Sequence, residues 1–358
     1  MSPHHRTGHP RTTRRRLGAL RALAGVVVLA VVAGACASGA RLPDAVSGTP
    51  ETPADDSVSF PPCTDEQAAA IDPVASYDPL PELPDPGGPF GDAFMQSLVE
   101  RGTIRVGVSP DTLLFGSRNL DYVADNPDGD LPYEGFDVDI LVEVALAVFG
   151  GTRSDIGEHI EFVAMPFRDR LPKLQSGEVD LVAHTMTINC SRWLQIAFTA
   201  EYFTAGQRVL VLRDSPYRSI DDIVDADATI CVPAVSTSEQ TLIERFPDLD
   251  RRAPVDTANC LVLLQQGEVD AITSDDTVMA GLAAQDPATV VVGEQFTTEP
   301  YGLGAASENV EFIRFVNRVL EDMIADGRWA ELYEKWLVPG LTTSAPEPPA
   351  RLYGRPLS

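Results

Sequence analysis

Lysine is almost missing from this 358-residue chain. Lys173 and Lys335 are the only two, so nearly all positive charge is arginine, and Asp plus Glu outnumber Lys plus Arg by 53 to 27. Six arginines (Arg6, Arg11, Arg14, Arg15, Arg16 and Arg21) stand in the first 35 residues, where there is no acid. The rest of the chain is therefore six units more negative than the formal −26 of the whole. A surface of that charge repels a phosphate backbone, which argues against nucleic acid as a partner. Histidine and cysteine are scarce, five of each, with no Cys-x-x-Cys pair and no histidine cluster at metal-ligand spacing. His159 and His184 stand alone, and no metal is expected. There is no Gly-x-Ser-x-Gly, no Ser/His/Asp set and no nucleotide loop. The abundant acids read as a solvated surface rather than a paired acid–base site, so neither an enzyme nor a cofactor is expected.

What is there is a repeat. Residues 171–180 read LPKLQSGEVD and residues 261–270 read LVLLQQGEVD, seven identities in ten at an offset of 90. Repeats report architecture directly. Leu171 and Leu174, like Leu261 and Leu264, share one face of a short helix. Gly177 and Gly267 suit the left-handed turn that ends such helices. Asp180-Leu-Val-Ala183 and Asp270-Ala-Ile272 then read as buried strands. Two similar helix–turn–strand units imply two lobes. Polar segments follow each strand, His184-Thr-Met-Thr-Ile-Asn-Cys-Ser-Arg192 and Thr273-Ser-Asp-Asp276. Ligands of open α/β sheets bind beyond the carboxyl ends of strands, so Arg192 and Asp275 are offered to a common space.

The N-terminus reads as an export signal over residues 1–35. Arg14-Arg-Arg16 is the positive flank, and Leu17 to Val32 is an apolar run too short for a comfortable span. Ala33-Gly-Ala-Cys36 resembles the bacterial lipobox, with Ala33 where Leu is usual, so Cys36 is expected to carry the lipid anchor. The alternative is a plain signal peptide cut near Ala35. Residues 36–92 are rich in proline and read as a semi-extended tether. The four remaining cysteines, Cys63, Cys190, Cys231 and Cys260, are an even number in an exported chain, which favours disulfides. Cys231 on a strand and Cys260 in the first turn of a nearby helix are expected to pair, leaving Cys63 with Cys190.

The body is expected to begin near Ala93. Thr103–Val108 reads as a strand, Gly135–Phe149 as a helix capped by Asp137 or its neighbour, and Glu161–Met165 as a strand. Ala197–Val211 and Thr298–Gly302 read as crossovers between lobes. Between them come a strand at Thr229–Val232, a helix at Ser236–Arg245, a strand near Ala253–Val255, a helix at Thr277–Ala284 and a strand at Thr289–Val292. Val310–Trp336 is helical and broken at Asp326-Gly327. The tail from Leu341 to Ser358 is expected to be disordered.

Residues 98–338 resemble the extracellular solute-binding proteins of family 3, which serve polar amino acid ABC transporters. The resemblance is carried by Gly102–Val108, Glu134-Gly-Phe-Asp-Val-Asp139, the LQSGEVDLVAHTMTINCSR run and Val269–Asp276. Thr185–Asn189 with Ala205-Gly-Gln207 is similar to glutamine/glutamate-binding lipoproteins of high-GC Gram-positive bacteria. The fold this implies is α/β, periplasmic-binding-protein-like type II: two α/β lobes, a two-strand hinge and a cleft between. The implied division is 93–204 with 303–340 for the first lobe and 205–302 for the second. The resemblance assigns Arg192 to the ligand α-carboxylate and Asp275 to its ammonium. Thr185, Thr187 and Thr237 would bind the same ligand ends, Phe167 would cover the stem, and Arg170 would read a side-chain carboxylate. Ser109 departs from the family, where an acid is common. Counting Arg170 as a surplus cation predicts a preference for glutamate or aspartate over glutamine and lysine.

The partner implied is an ABC permease or, with the same ligand, a membrane signalling protein; neighbouring genes would separate the two. The chain is read as a lipid-anchored monomer at the extracellular face of the cell membrane.

Overall fold

The structure is a computed structural model that describes residues 63–123, 131–341 and 347–357. The expected signal peptide, Cys36 and the tether up to residue 62 lie outside the described residues.

Two five-stranded sheets make the framework. The first runs, in spatial order, Ile160–Ala164, Ile104–Val108, Leu181–Val182, Gly304–Ala306, Ile196–Phe198. The second runs Arg251–Arg252, Ile230–Cys231, Ala271–Asp275, Gln207–Leu212, Thr289–Val292. In both, the first three strands are parallel, and the fourth is antiparallel to its two neighbours. The repeat supplies the middle strand of each sheet, so the ten-residue match marks a likeness of whole lobes.

The reason for the match is local. Gly177 and Gly267 sit at φ 68° and 71°, a region that a side chain disfavours. That turn lets Glu178 donate its N–H to Lys173 O and Glu268 donate to Leu263 O, each at 3.0 Å. Asp180 then donates to Arg105 O at 2.8 Å and accepts the Arg105 N–H at 2.7 Å. Asp270 does the same with Thr229, at 2.8 and 2.9 Å. Each aspartate thus fixes the register of its strand against the next. Leu171, Leu174, Leu261 and Leu264 are all buried.

The first lobe packs its core around the helix Phe136–Phe149, covered by Val310–Asp326 and Arg328–Trp336. In the second lobe the strand Gln207–Leu212 alternates between two cores, as a pleated strand must. Leu210 joins Leu261, Leu264 and Ile272 on one face, while Val209 and Val211 join Ile230, Val232 and Leu242 on the other.

Phe203–Ala205 and Glu299–Tyr301 pair as a two-stranded antiparallel ribbon between the sheets, with Phe203 opposite Tyr301. This ribbon lies in the two segments read as crossovers. The segment after the first repeat leans on it: Ile188 donates its N–H to Pro300 O at 2.7 Å, and Gly302 donates to Met186 O at 3.0 Å.

Several expectations need correction. The strand expected at Ala253–Val255 lies at Arg251–Arg252. The strand of the second repeat continues to Asp275 rather than ending at Ile272. Asp137 does not cap its helix; Gly135 is the capping residue, without a side-chain bond. The described end of the tether is not loose, and the body starts well before Ala93. Cys63 is bonded to Cys190. Tyr77 and Phe90 join the first-lobe core, and Ser76 Oγ donates to Phe198 O at 2.7 Å. The tail is also placed over 347–357. Ser76 donates its N–H to Leu352 O at 2.9 Å and accepts that of Arg355 at 3.0 Å. The Arg355 guanidinium stacks 3.6 Å from the centroid of the Trp193 ring. The prolines do not exclude helix throughout, since Asp65–Ala70 forms a short one capped by Thr64; elsewhere they leave backbone groups free to pair with a neighbouring segment.

Candidate ligand-binding site

Arg192 lies on a single helical turn, Cys190–Trp193, started by Asn189, whose side chain accepts the Arg192 N–H at 2.9 Å. The turn is braced from behind. Cys190 is bonded to Cys63, and Trp193 Nε1 donates to Pro73 O at 2.7 Å. This aims the buried Arg192 guanidinium inward, where Nη1 donates to Thr187 O at 2.6 Å. Burial lowers its pKa to about 10, opposed by the charges of Glu299 and Asp275.

Arg170 is equally buried and is held by backbone carbonyls. Nε donates to Phe167 O at 3.0 Å, and Nη1 donates to His184 O at 2.9 Å and Thr185 O at 3.3 Å. Its guanidinium stands 4.6 Å from the Phe167 ring centroid. Burial, then the charge of Arg192, pushes its pKa well below the ordinary value. Phe167 comes from the first-lobe segment but joins the apolar cluster of the second lobe, so it closes part of the cleft.

Asp275 ends the middle strand of the second sheet, the position the repeat predicts. It accepts from Tyr301 Oη, and from Ser238 Oγ at 3.3 Å. Burial, then the charge of Glu299, raises its pKa to about 8. Thr237 opens the helix Thr237–Arg245, which Ser236 caps by accepting the Glu239 N–H at 3.0 Å. The Thr237 hydroxyl lies 3.3 Å from that of Thr187.

Thr185 holds φ 42°, a strained value for a β-branched residue. Its N–H donates to Asp137 Oδ2 at 2.9 Å, while its buried Oγ1 has no hydrogen-bond partner among the described residues. Burial, then the charge of Arg170, lowers the His184 pKa to about 3, so the ring is neutral. Its Nε2–H then donates to Met165 O at 2.9 Å. Ser109 does not enter this cluster. It closes a turn, donating to Thr112 Oγ1 at 2.8 Å.

Two acids that the sequence did not mark as site residues belong here. Asp137 accepts from Tyr202 Oη and the Thr185 N–H, and burial raises its pKa to about 7. Glu299, on the hinge ribbon, accepts on Oε2 from Thr187 at 2.7 Å and Thr237 at 2.8 Å, and on Oε1 from Thr297 at 2.7 Å. The available signals were slight: an acid inside the apolar Gly135–Ile140 run, and one before Pro-Tyr-Gly in a crossover. Arg170 is therefore not a surplus cation. The cluster holds Arg170 and Arg192 with three carboxyl groups, Asp137, Asp275 and Glu299.

A two-lobed α/β body with buried arginines and carboxyls meeting at a two-strand hinge is the architecture of a receptor for a small zwitterion. The model for bacterial extracellular solute-binding proteins, family 3, matches residues 117–339. The chain belongs to this family. A glutamine-binding protein of a Bacillus subtilis (strain 168) ABC transporter is 30% identical over 243 residues, covering 68% of this chain and 84% of that protein. A glutamate-binding protein of Corynebacterium glutamicum is 32% identical over 251 residues, covering 68% and 80%. An ancestral arginine-binding protein solved with glutamine bound is similar at a TM-score of 0.57 and 31% identity, covering 66% of this chain and 98% of that one. As a family 3 protein the chain has the type II periplasmic-binding fold expected from sequence. Residues 63–92 and 347–357, which brace the Arg192 turn, lie outside the matched region.

Proposed function

We propose that this chain is an extracellular amino acid receptor, held at the membrane by a lipid on Cys36. It binds glutamate, aspartate or their amides between its lobes and delivers them to an ABC permease. The proposed division places the described residues up to 204, with 303–340, in the first lobe and 205–302 in the second. Arg192 takes the α-carboxylate, because a guanidinium can meet both oxygens with parallel bonds. Asp275 takes the ammonium. Thr185 supplies its unpartnered hydroxyl, and Thr187 and Thr237 close on the ligand from opposite lobes. Phe167 covers the stem. Arg170 fixes the wall through the carbonyls it holds, and its charge faces the ligand side chain.

The observation that carries the reading is the meeting of Thr187 and Thr237 at 3.3 Å beside the hinge, with Arg192 bonded to the Thr187 carbonyl. Hinge closure follows from differential affinity, since a ligand touching both lobes favours the closed form. The names of the relatives support the ligand set. The test is calorimetric titration of the purified full chain with glutamate, aspartate, glutamine and asparagine, paired with small-angle scattering. Saturable binding with a fall in radius of gyration is expected. No heat with any of the four, or an unchanged radius at saturation, would defeat the reading.

A further inference from the structure

Among the described residues, Glu299 has a position that no other acid shares. It stands on the ribbon joining the lobes, yet its side chain reaches a threonine of each lobe. Thr187 and Thr237 both donate to Oε2, and Thr297 donates to Oε1. All three partners are hydroxyls, which can donate to a carboxylate. The residue is buried, so water does little to screen it. Arg192 and Asp275 both lie within reach of its charge.

A buried charge without a partner is costly, so the fixed charges of a closed cleft decide which ligand charges enter it. Arg170 and Arg192 contribute two positive charges. Glu299 and ionised Asp275 contribute two negative ones. The α-carboxylate and ammonium common to all amino acids leave that balance at zero. A glutamine side chain also leaves it at zero, whereas a glutamate side chain adds a negative charge beyond those the two arginines balance. Asp137, bonded to Tyr202 and Thr185, adds no cation either.

We propose that Glu299 is a specificity-determining residue that makes this receptor select amino acids with an uncharged amide side chain, glutamine first, over the corresponding acids. The inference rests on the amino acid receptor reading and decides between the ligands which that reading leaves together. It reverses the acid preference expected when Arg170 was counted alone.

The test is calorimetric titration of the full chain and of its Glu299→Gln and Glu299→Asp forms with glutamine and glutamate at one pH and salt. Circular dichroism melts check that each form is folded. The unaltered protein should bind glutamine at least about tenfold more tightly than glutamate. Glu299→Gln keeps an acceptor for both threonines and removes the charge. It should shift the ratio of glutamate to glutamine affinity about tenfold or more toward glutamate, because the cleft becomes one charge positive with glutamine and balanced with glutamate. Glu299→Asp keeps the charge and should keep the preference for glutamine. If glutamate binds the unaltered protein as tightly as glutamine, or Glu299→Gln leaves the ratio unmoved, the inference is overturned and the receptor reading stands. If neither amino acid binds any form, the receptor reading fails and takes the inference with it.

Discussion

Thr187 and Thr237 are fifty residues apart and follow strands of different sheets, yet their hydroxyl oxygens lie 3.3 Å from each other. One contact therefore reports whether the lobes are together. Thr237→Val removes the hydroxyl but keeps the shape and the β-branch. We expect it to weaken ligand binding about tenfold and to raise the radius of gyration at subsaturating ligand. Titration and scattering that match the unaltered protein would place Thr237 outside the closure contact.

Arg192→Lys keeps one positive charge and loses the planar fork. It should weaken amino acid binding by roughly ten- to a hundredfold. The loss should vanish when the ligand is an amino acid amide lacking the α-carboxylate. A loss of equal size for both would mean that Arg192 serves the fold and not the carboxylate.

Arg170→Ala separates two roles. Its bonds to Phe167, His184 and Thr185 carbonyls make it a support for the segment that includes Thr185. Removing it should weaken neutral ligands as well as charged ones and lower the melting temperature. A loss confined to glutamate and aspartate would instead restore Arg170 as the reader of a side-chain carboxylate.

The carboxyls of Asp275 and Asp137 give a pH dependence with a definite sign. Burial raises them to about 8 and about 7, so between pH 4 and these values the folded protein holds protons that the unfolded chain has lost. Their contribution to stability is fully present below about pH 4 and declines as pH rises through 7 and 8. The ligand-free protein should therefore melt at lower temperature at pH 9 than at pH 5, with a smaller slope in Asp275→Asn. An ammonium placed against Asp275 favours its ionised form, so binding near pH 7 should release roughly one proton. Titration in two buffers of different ionisation enthalpy measures it, and zero release would remove Asp275 from the ammonium site.

The Cys231–Cys260 bond closes a separation of 29 residues, for which chain entropy gives about 3–4 kcal/mol of stability. Reduction should lower the denaturation midpoint accordingly. A peptide map with freely alkylated Cys231 and Cys260 before reduction would contradict the pairing.

How much of this was legible depends on how locally each feature is encoded. The repeat was plain because Gly177 and Gly267 answer the same backbone requirement, and Asp180 and Asp270 pin the same register. Arg192 and Asp275 could be named because each ends a motif attached to a repeat strand. Glu299 could not, because its role comes from hydroxyls 112 and 62 residues away. Residues 63–92 and 347–357 misled for another reason. Proline-rich composition describes a loose tether and a chain paired to a distant segment equally well. The difference lies in partners such as Asn317, whose side chain meets Ser76 Oγ and Tyr77 O.

The bond from Cys63 to Cys190 has a mechanical consequence. A load applied to the chain ahead of Cys63 enters the folded body at Cys190, beside Pro73 and Trp193, and is borne by the first sheet. It bypasses the ribbon Phe203–Ala205 with Glu299–Tyr301, which carries no tension from that direction. The second lobe can then swing against a fixed mount, and tension from that direction neither opens nor shuts the cleft.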